Sequence, residues 1–109
     1  MAERSSSPSV KPPAACRTMS ELRAEIDRLD RQLVALLADR AGYVARAAEV
    51  KQERAAIVDE ARIEQVIVKV RARAISEGAD PDLIEAIYRA MIAAFIAFEE
   101  RAFERDKKN

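Results

Sequence analysis

The stretch "LLADRAGYVARAAEVK", residues 36–51, reads as the second half of one long amphipathic helix that carries two cations on its apolar side. Advancing ~100° per residue from Leu22, the residues Ile26, Leu29, Leu33, Leu36, Leu37, Val44 and Ala47 all fall within about 60° of the origin. Arg40 and Lys51 land in the same arc, at roughly 0° and 20°. A helix that aims an arginine and a lysine at its apolar face must supply them with negative charge, because unpaired buried charge is strongly unfavourable.

Working outward, Thr18-Met19-Ser20-Glu21 matches a capping box and predicts the helix start, with the end at about residue 54. After the break "AAIV", Asp59 is the expected N-cap of a second helix over residues 60–77, with Ile63, Val66, Ile67, Val70 and Ala74 on its apolar side. Gly78 ends it, and Asp80 with Pro81 opens a third helix that runs to about residue 105. The fold class expected is all-α, with three helices per chain: long, short and medium. A first helix of ~50 Å cannot be covered by partners of roughly 27 and 37 Å that also pack on each other. The pattern therefore predicts an intertwined, two-fold homodimer.

Residues 1–18 hold three of the four prolines and show no apolar periodicity, so they are expected to form a disordered tail ahead of a helical domain over residues 19–109. Nineteen basic and nineteen acidic residues cancel, which argues against a general nucleic-acid binder and makes any anion preference local. The single cysteine excludes an internal disulfide, and the lack of histidine removes the usual metal ligand and the usual neutral-pH proton shuttle. No metal or cofactor is called for. Neither a membrane span nor a secretory signal is legible, and a cytoplasmic location is expected.

The third helix supplies one complement to the inward cations. From Leu83, the apolar residues Ile84, Tyr88, Met91, Phe95 and Phe98 centre near ~110°, with Glu99 inside that arc at about 160° and Glu100 outside it at about 260°. One carboxylate does not balance two cations, so a bound small anion is expected to supply the rest. Arg62 sits in the first turn of the second helix. Arg23 lies ~25 Å along the long helix from Arg40, a separation that suits it to reach across a dimer rather than to share a ligand within one chain.

The segments "LRAEIDRLDRQLVALLADRAGYVARAAEVK", "DEAR" and "AFIAFEER" resemble the all-helical chorismate mutases over about residues 20–105. The family's arginine, arginine and lysine, spaced by seventeen and then eleven residues, match Arg23, Arg40 and Lys51. The resemblance implies that Arg40 and Lys51 bind the enolpyruvyl side of the dianion chorismate, while Arg23 enters from the other subunit to hold a second carboxylate. It further implies that Arg62 and Asp59 belong to the substrate site and that Glu99 takes the place of the family's Gln or Glu, which hydrogen-bonds the ether oxygen. For that role Glu99 must be neutral. The rearrangement to prephenate needs no nucleophile and no shuttled proton.

The sequence also departs from that pattern. Ile63 stands where the family commonly has a glutamate for the substrate hydroxyl, and Phe95 stands at a serine position four residues before Glu99. The "YV" after Arg40 and the "AAI" before Arg62 resemble the isochorismate-pyruvate lyases of the same fold, which act on a similar dianion and eliminate pyruvate. The glutamine those lyases carry at the Glu99 position favours the mutase. A non-catalytic helical dimerisation or regulatory module is the third reading.

Overall fold

The computed structural model describes residues 10–51 and 53–108, with the side chains of residues 107 and 108 left aside. Three helices carry the chain: α1 (Met19–Val50), α2 (Glu60–Ser76) and α3 (Pro81–Lys108), with short 3-10 turns at Pro13–Ala15 and Arg54–Ala56. The chain divides into two compact units, Met1–Asp39 and Arg40–Asn109, the boundary falling inside α1.

In the first unit, the start of α1 is fixed by the reciprocal bonds of the capping box. The Glu21 amide donates to Thr18 Oγ1 at 3.1 Å, and the Thr18 amide donates to Glu21 Oε1 at 3.3 Å. Each bond satisfies an amide that has no carbonyl partner within the helix. Lys11 Nζ also donates to Glu21, at 2.7 Å, and that bond with the Arg17 amide holds the carboxyl below its ordinary range. The expected disordered tail therefore falls partly on residues 1–9, outside the described residues, and partly on a segment that contains the turn Pro13–Ala15. No described residue between 10 and 39 is buried, and Ile26, Leu29, Leu33, Leu36 and Leu37 are all exposed.

The second unit holds the core. Ala48 from α1, Ile57 from the connection, and Ala102 and Phe103 from α3 pack together, with Ile96 against them. Ile67 and Ala74 are the buried residues of α2. The first helix ends at Val50 rather than near residue 54. Glu53 is already extended, and the turn Arg54–Ala56 lowers Ile57 into the core, where it is 5% exposed. Burial of one isoleucine outweighs one further turn of helix, because it removes a large side chain from water.

Asp59 caps α2 by accepting the Arg62 amide at 3.0 Å. At the other end, Gly78 takes φ +77°, and the amides of Gly78 and Ala79 donate back to the carbonyls of Ile75 and Ala74 at 3.1 and 2.8 Å. This left-handed close is the reason for a glycine there. Asp80 then caps α3 through the Asp82 amide at 2.9 Å. Across the hairpin Arg89 forks onto Glu64 at 3.0 and 3.1 Å and holds Glu85 at 2.7 Å, while Arg71 reaches Asp82 and Glu85. α3 continues to Lys108, about three residues past the expected end.

Candidate active site

Within the second unit, the end of α1, the connection, the first two turns of α2 and the middle of α3 line a cavity of about 290 Å³. Arg40, Lys51, Asp59, Arg62 and Glu99 all line it. Their positions follow from the local folding just described. Arg40 lies two turns before the buried Ala48 on α1, and the cap that Asp59 forms on α2 sets Arg62 one turn into that helix. Glu99 follows Phe95 by four residues on α3, so the two share a face. Arg23 is exposed and belongs to the first unit.

The charges in the cavity do not cancel. Lys51 Nζ donates to Glu99 Oε2 at 2.7 Å, and the Glu99 side chain is 9% exposed, so this pair is largely withdrawn from water. The bond consumes the one buried carboxylate of the described residues. Asp59 caps α2 through Oδ1, which accepts the Arg62 amide, and among the described residues its carboxylate makes no ion pair with the Arg62 side chain. Among the described residues neither the Arg40 nor the Arg62 guanidinium has a carboxylate partner. Two free forks remain on the wall of a partly enclosed space. Such an arrangement favours a planar anion, since a guanidinium binds a carboxylate through two parallel N–H bonds.

The rest of the wall is apolar: Val44, Ile57, Ile63, Val66, Ile92 and Ile96 line it, along with Phe95. The ring of Phe95 lies under the Arg40 guanidinium, 4.4 Å from Cζ to the ring centroid. Ile57 and Ile92 are pocket residues that periodicity does not reveal. Ile57 sits in a helix break, where no repeating pattern assigns a face, and Ile92 differs in no visible way from other apolar residues of α3. The contact between Arg40 and Phe95 joins positions far apart in sequence and leaves no local signal.

Among the described residues no group of Cys, Asp or Glu is arranged to hold a metal ion, and no helix is long and apolar enough to cross a membrane. The chemistry available is electrostatic: two unpaired guanidiniums, one ammonium hydrogen-bonded to a carboxylate, and an apolar enclosure that strengthens each of them.

Residues 22–100 match the family model of type II chorismate mutases. The isochorismate pyruvate lyase of Pseudomonas aeruginosa is 30% identical over 88 residues, which span 81% of this chain and 87% of that protein.

Proposed function

The chain belongs to the type II chorismate mutase family, and from that premise we propose that it rearranges chorismate to prephenate, with Arg40, Lys51, Asp59, Arg62 and Glu99 as its substrate site. The observation that carries the proposal is the pair of guanidiniums without carboxylate partners in a cavity whose one buried carboxylate is already engaged. A substrate carboxylate would give these forks the partner they lack.

In this reading Arg40 and Arg62 fork onto the substrate and hold the folded conformer in which the enolpyruvyl methylene stands over the ring carbon it will join. Fixing that geometry removes much of the entropic part of the barrier. The reaction is concerted: the ether C–O bond breaks as the new C–C bond forms, no proton is exchanged, and the product keeps both negative charges. Negative charge gathers on the ether oxygen midway. Lys51 spends one N–H on Glu99, which holds the ammonium in place, and has two left to direct at that oxygen. These contacts strengthen in the transition state, as rate acceleration requires. The role of Glu99 has a direct consequence: Glu99→Ala releases the Lys51 ammonium and lowers kcat/KM, whereas Glu99→Gln keeps an oxygen acceptor within reach and costs less. Activity of Glu99→Ala equal to the parent's removes the role.

The site also needs a second copy. The exposed apolar residues on the first unit support the intertwined homodimer, in which Arg23 of the partner subunit would hold the other carboxylate. A second reading, isochorismate pyruvate lyase, is favoured by the Pseudomonas aeruginosa relative. There the ether C–O bond also breaks, but a ring hydrogen passes to the enolpyruvyl methylene instead of a C–C bond forming, so pyruvate leaves and aromatic salicylate remains. Ile63 in the wall supports this alternative, since it offers the substrate hydroxyl no hydrogen bond. Incubating the purified protein with chorismate and with isochorismate, separately, decides between them. Prephenate from chorismate is the expected result. Salicylate and pyruvate as the sole efficient products reverse the assignment, and turnover of neither leaves a non-catalytic module.

A further inference from the structure

The two cations that α1 and its end place in the cavity are treated differently by α3. Glu99 takes Lys51, at 2.7 Å, whereas Arg40 is met by a ring, with Cζ 4.4 Å from the Phe95 centroid. Phe95 and Glu99 are one turn apart on the same helix face, so α3 presents an aromatic ring and a carboxylate side by side and sends each to its own cation.

Another ring–cation contact among the described residues shows what distinguishes this one. Arg54 lies over Phe103 at 5.5 Å, but Arg54 also has the carboxylate of Glu104. Arg40 has no such partner among the described residues, and it is the closer of the two to its ring. Phe95 itself is braced edge-to-face by Phe98, with centroids 6.1 Å apart and planes at 83°. The platform is therefore fixed by packing within α3.

A ring holds an arginine in a way that a carboxylate does not. A carboxylate would occupy two of the five N–H donors and cancel the charge, and an incoming anion would have to displace it. The negative face of a ring attracts the cation while the N–H groups, which lie in the guanidinium plane, stay free. We propose that Phe95 is the positioning residue of Arg40: it holds the guanidinium in place in the cavity with its charge and its hydrogen-bond donors unspent. The proposal rests on the reading of Arg40 as a substrate carboxylate clamp. It also assigns Phe95 a role in affinity that its lack of polar atoms conceals.

The test replaces Phe95 by mono-, di- and trifluorinated phenylalanine, which keep the shape of the ring and weaken its negative face stepwise, with Phe95→Leu and Phe95→Tyr alongside. In the ligand-free protein the Arg40 side-chain protons should show an upfield ring-current shift by NMR, lost in Phe95→Leu and kept in Phe95→Tyr. With chorismate as the probe, KM should rise stepwise along the fluorinated series, by roughly three- to tenfold in total, while kcat changes little. Phe95→Tyr should retain the parent KM. A flat fluorinated series in an enzyme that Arg40→Ala disables overturns the positioning role and leaves the substrate site standing. An enzyme indifferent to Arg40→Ala overturns the substrate site itself, and an absent ring-current shift overturns the stack whether or not chorismate is turned over.

Discussion

Leu36 in the first unit is 64% exposed, while Ile57 in the second is 5% exposed, although both are large aliphatic residues in an amphipathic chain. The second unit has three helical segments and a connection that can close on one another, and it buries Ala48, Ile57, Ala102 and Phe103 against a cavity lined with cations. The first unit has only the opening of α1 and the short turn before it, so its stripe of Ile26, Leu29, Leu33, Leu36 and Leu37 has nothing of its own to pack on. Amphipathic pattern alone does not bury a residue; a second surface must exist. A contiguous apolar stripe of this kind on a described helix is characteristic of a face that meets another chain. The comparison thus separates a unit that organises the site from one we assign to assembly.

Substitutions in each unit put that contrast at risk. The largest effect is expected at the cavity: Arg40→Ala should lower kcat/KM for chorismate by about 10²- to 10³-fold, the range seen when one charge-stabilising donor is removed. A change below about threefold in steady-state kinetics would detach the cavity from catalysis. Next comes the core of the same unit. Phe103 is 7% exposed, and Phe103→Ala should destabilise the fold by about 3–5 kcal/mol in denaturant unfolding.

The counterpart in the first unit is Leu33→Asp. It should leave helicity by circular dichroism near the parent value, weaken self-association by about 1–3 kcal/mol per buried site in sedimentation, and lower activity in parallel. If the variant sediments and turns over like the parent, the stripe is not the assembly face. Mixing two inactive variants, Arg23→Ala and Arg40→Ala, is a finer probe. A shared site predicts that activity returns to about a quarter of the parent level, because half of random dimers carry one intact site of two.

The smallest effects lie in the surface pairs of the second unit. Glu64 and Glu85 are held below the ordinary carboxylate value of 4.5, first by their hydrogen bonds to Arg89. A carboxyl lowered by folding stabilises the protein fully above 4.5 and loses that contribution as pH falls through its depressed value. The melting temperature should therefore drop on acidification below 4.5, and Arg89→Ala should blunt the drop. Glu64 is exposed, Glu85 is half-buried and their partner Arg89 is open to water, so the effect is small.

Much of this arrangement is legible in the amino-acid sequence. The capping box at Thr18 and Glu21, the Asp59 and Asp80 caps and the Gly78 close are local, each settled by a few neighbouring residues, and each forms as the sequence implies. The inward placement of Glu99 is equally readable, because helical periodicity fixes which face a residue takes. What periodicity cannot supply is a relation between helices. The end of α1 at Val50 escapes it because Ile57, beyond the pattern, draws the chain into the core.

The sequence by itself determined three helices, their caps, and the identity of the charges turned toward the apolar side. Periodicity and capping depend on residues no more than about four apart, and those are always adjacent in the chain. Tertiary structure alone decided that Glu99 would serve Lys51 and leave Arg40 to a phenylalanine ring, since the partners of a buried charge are chosen by which helices meet, and at what distance, and no local pattern encodes that.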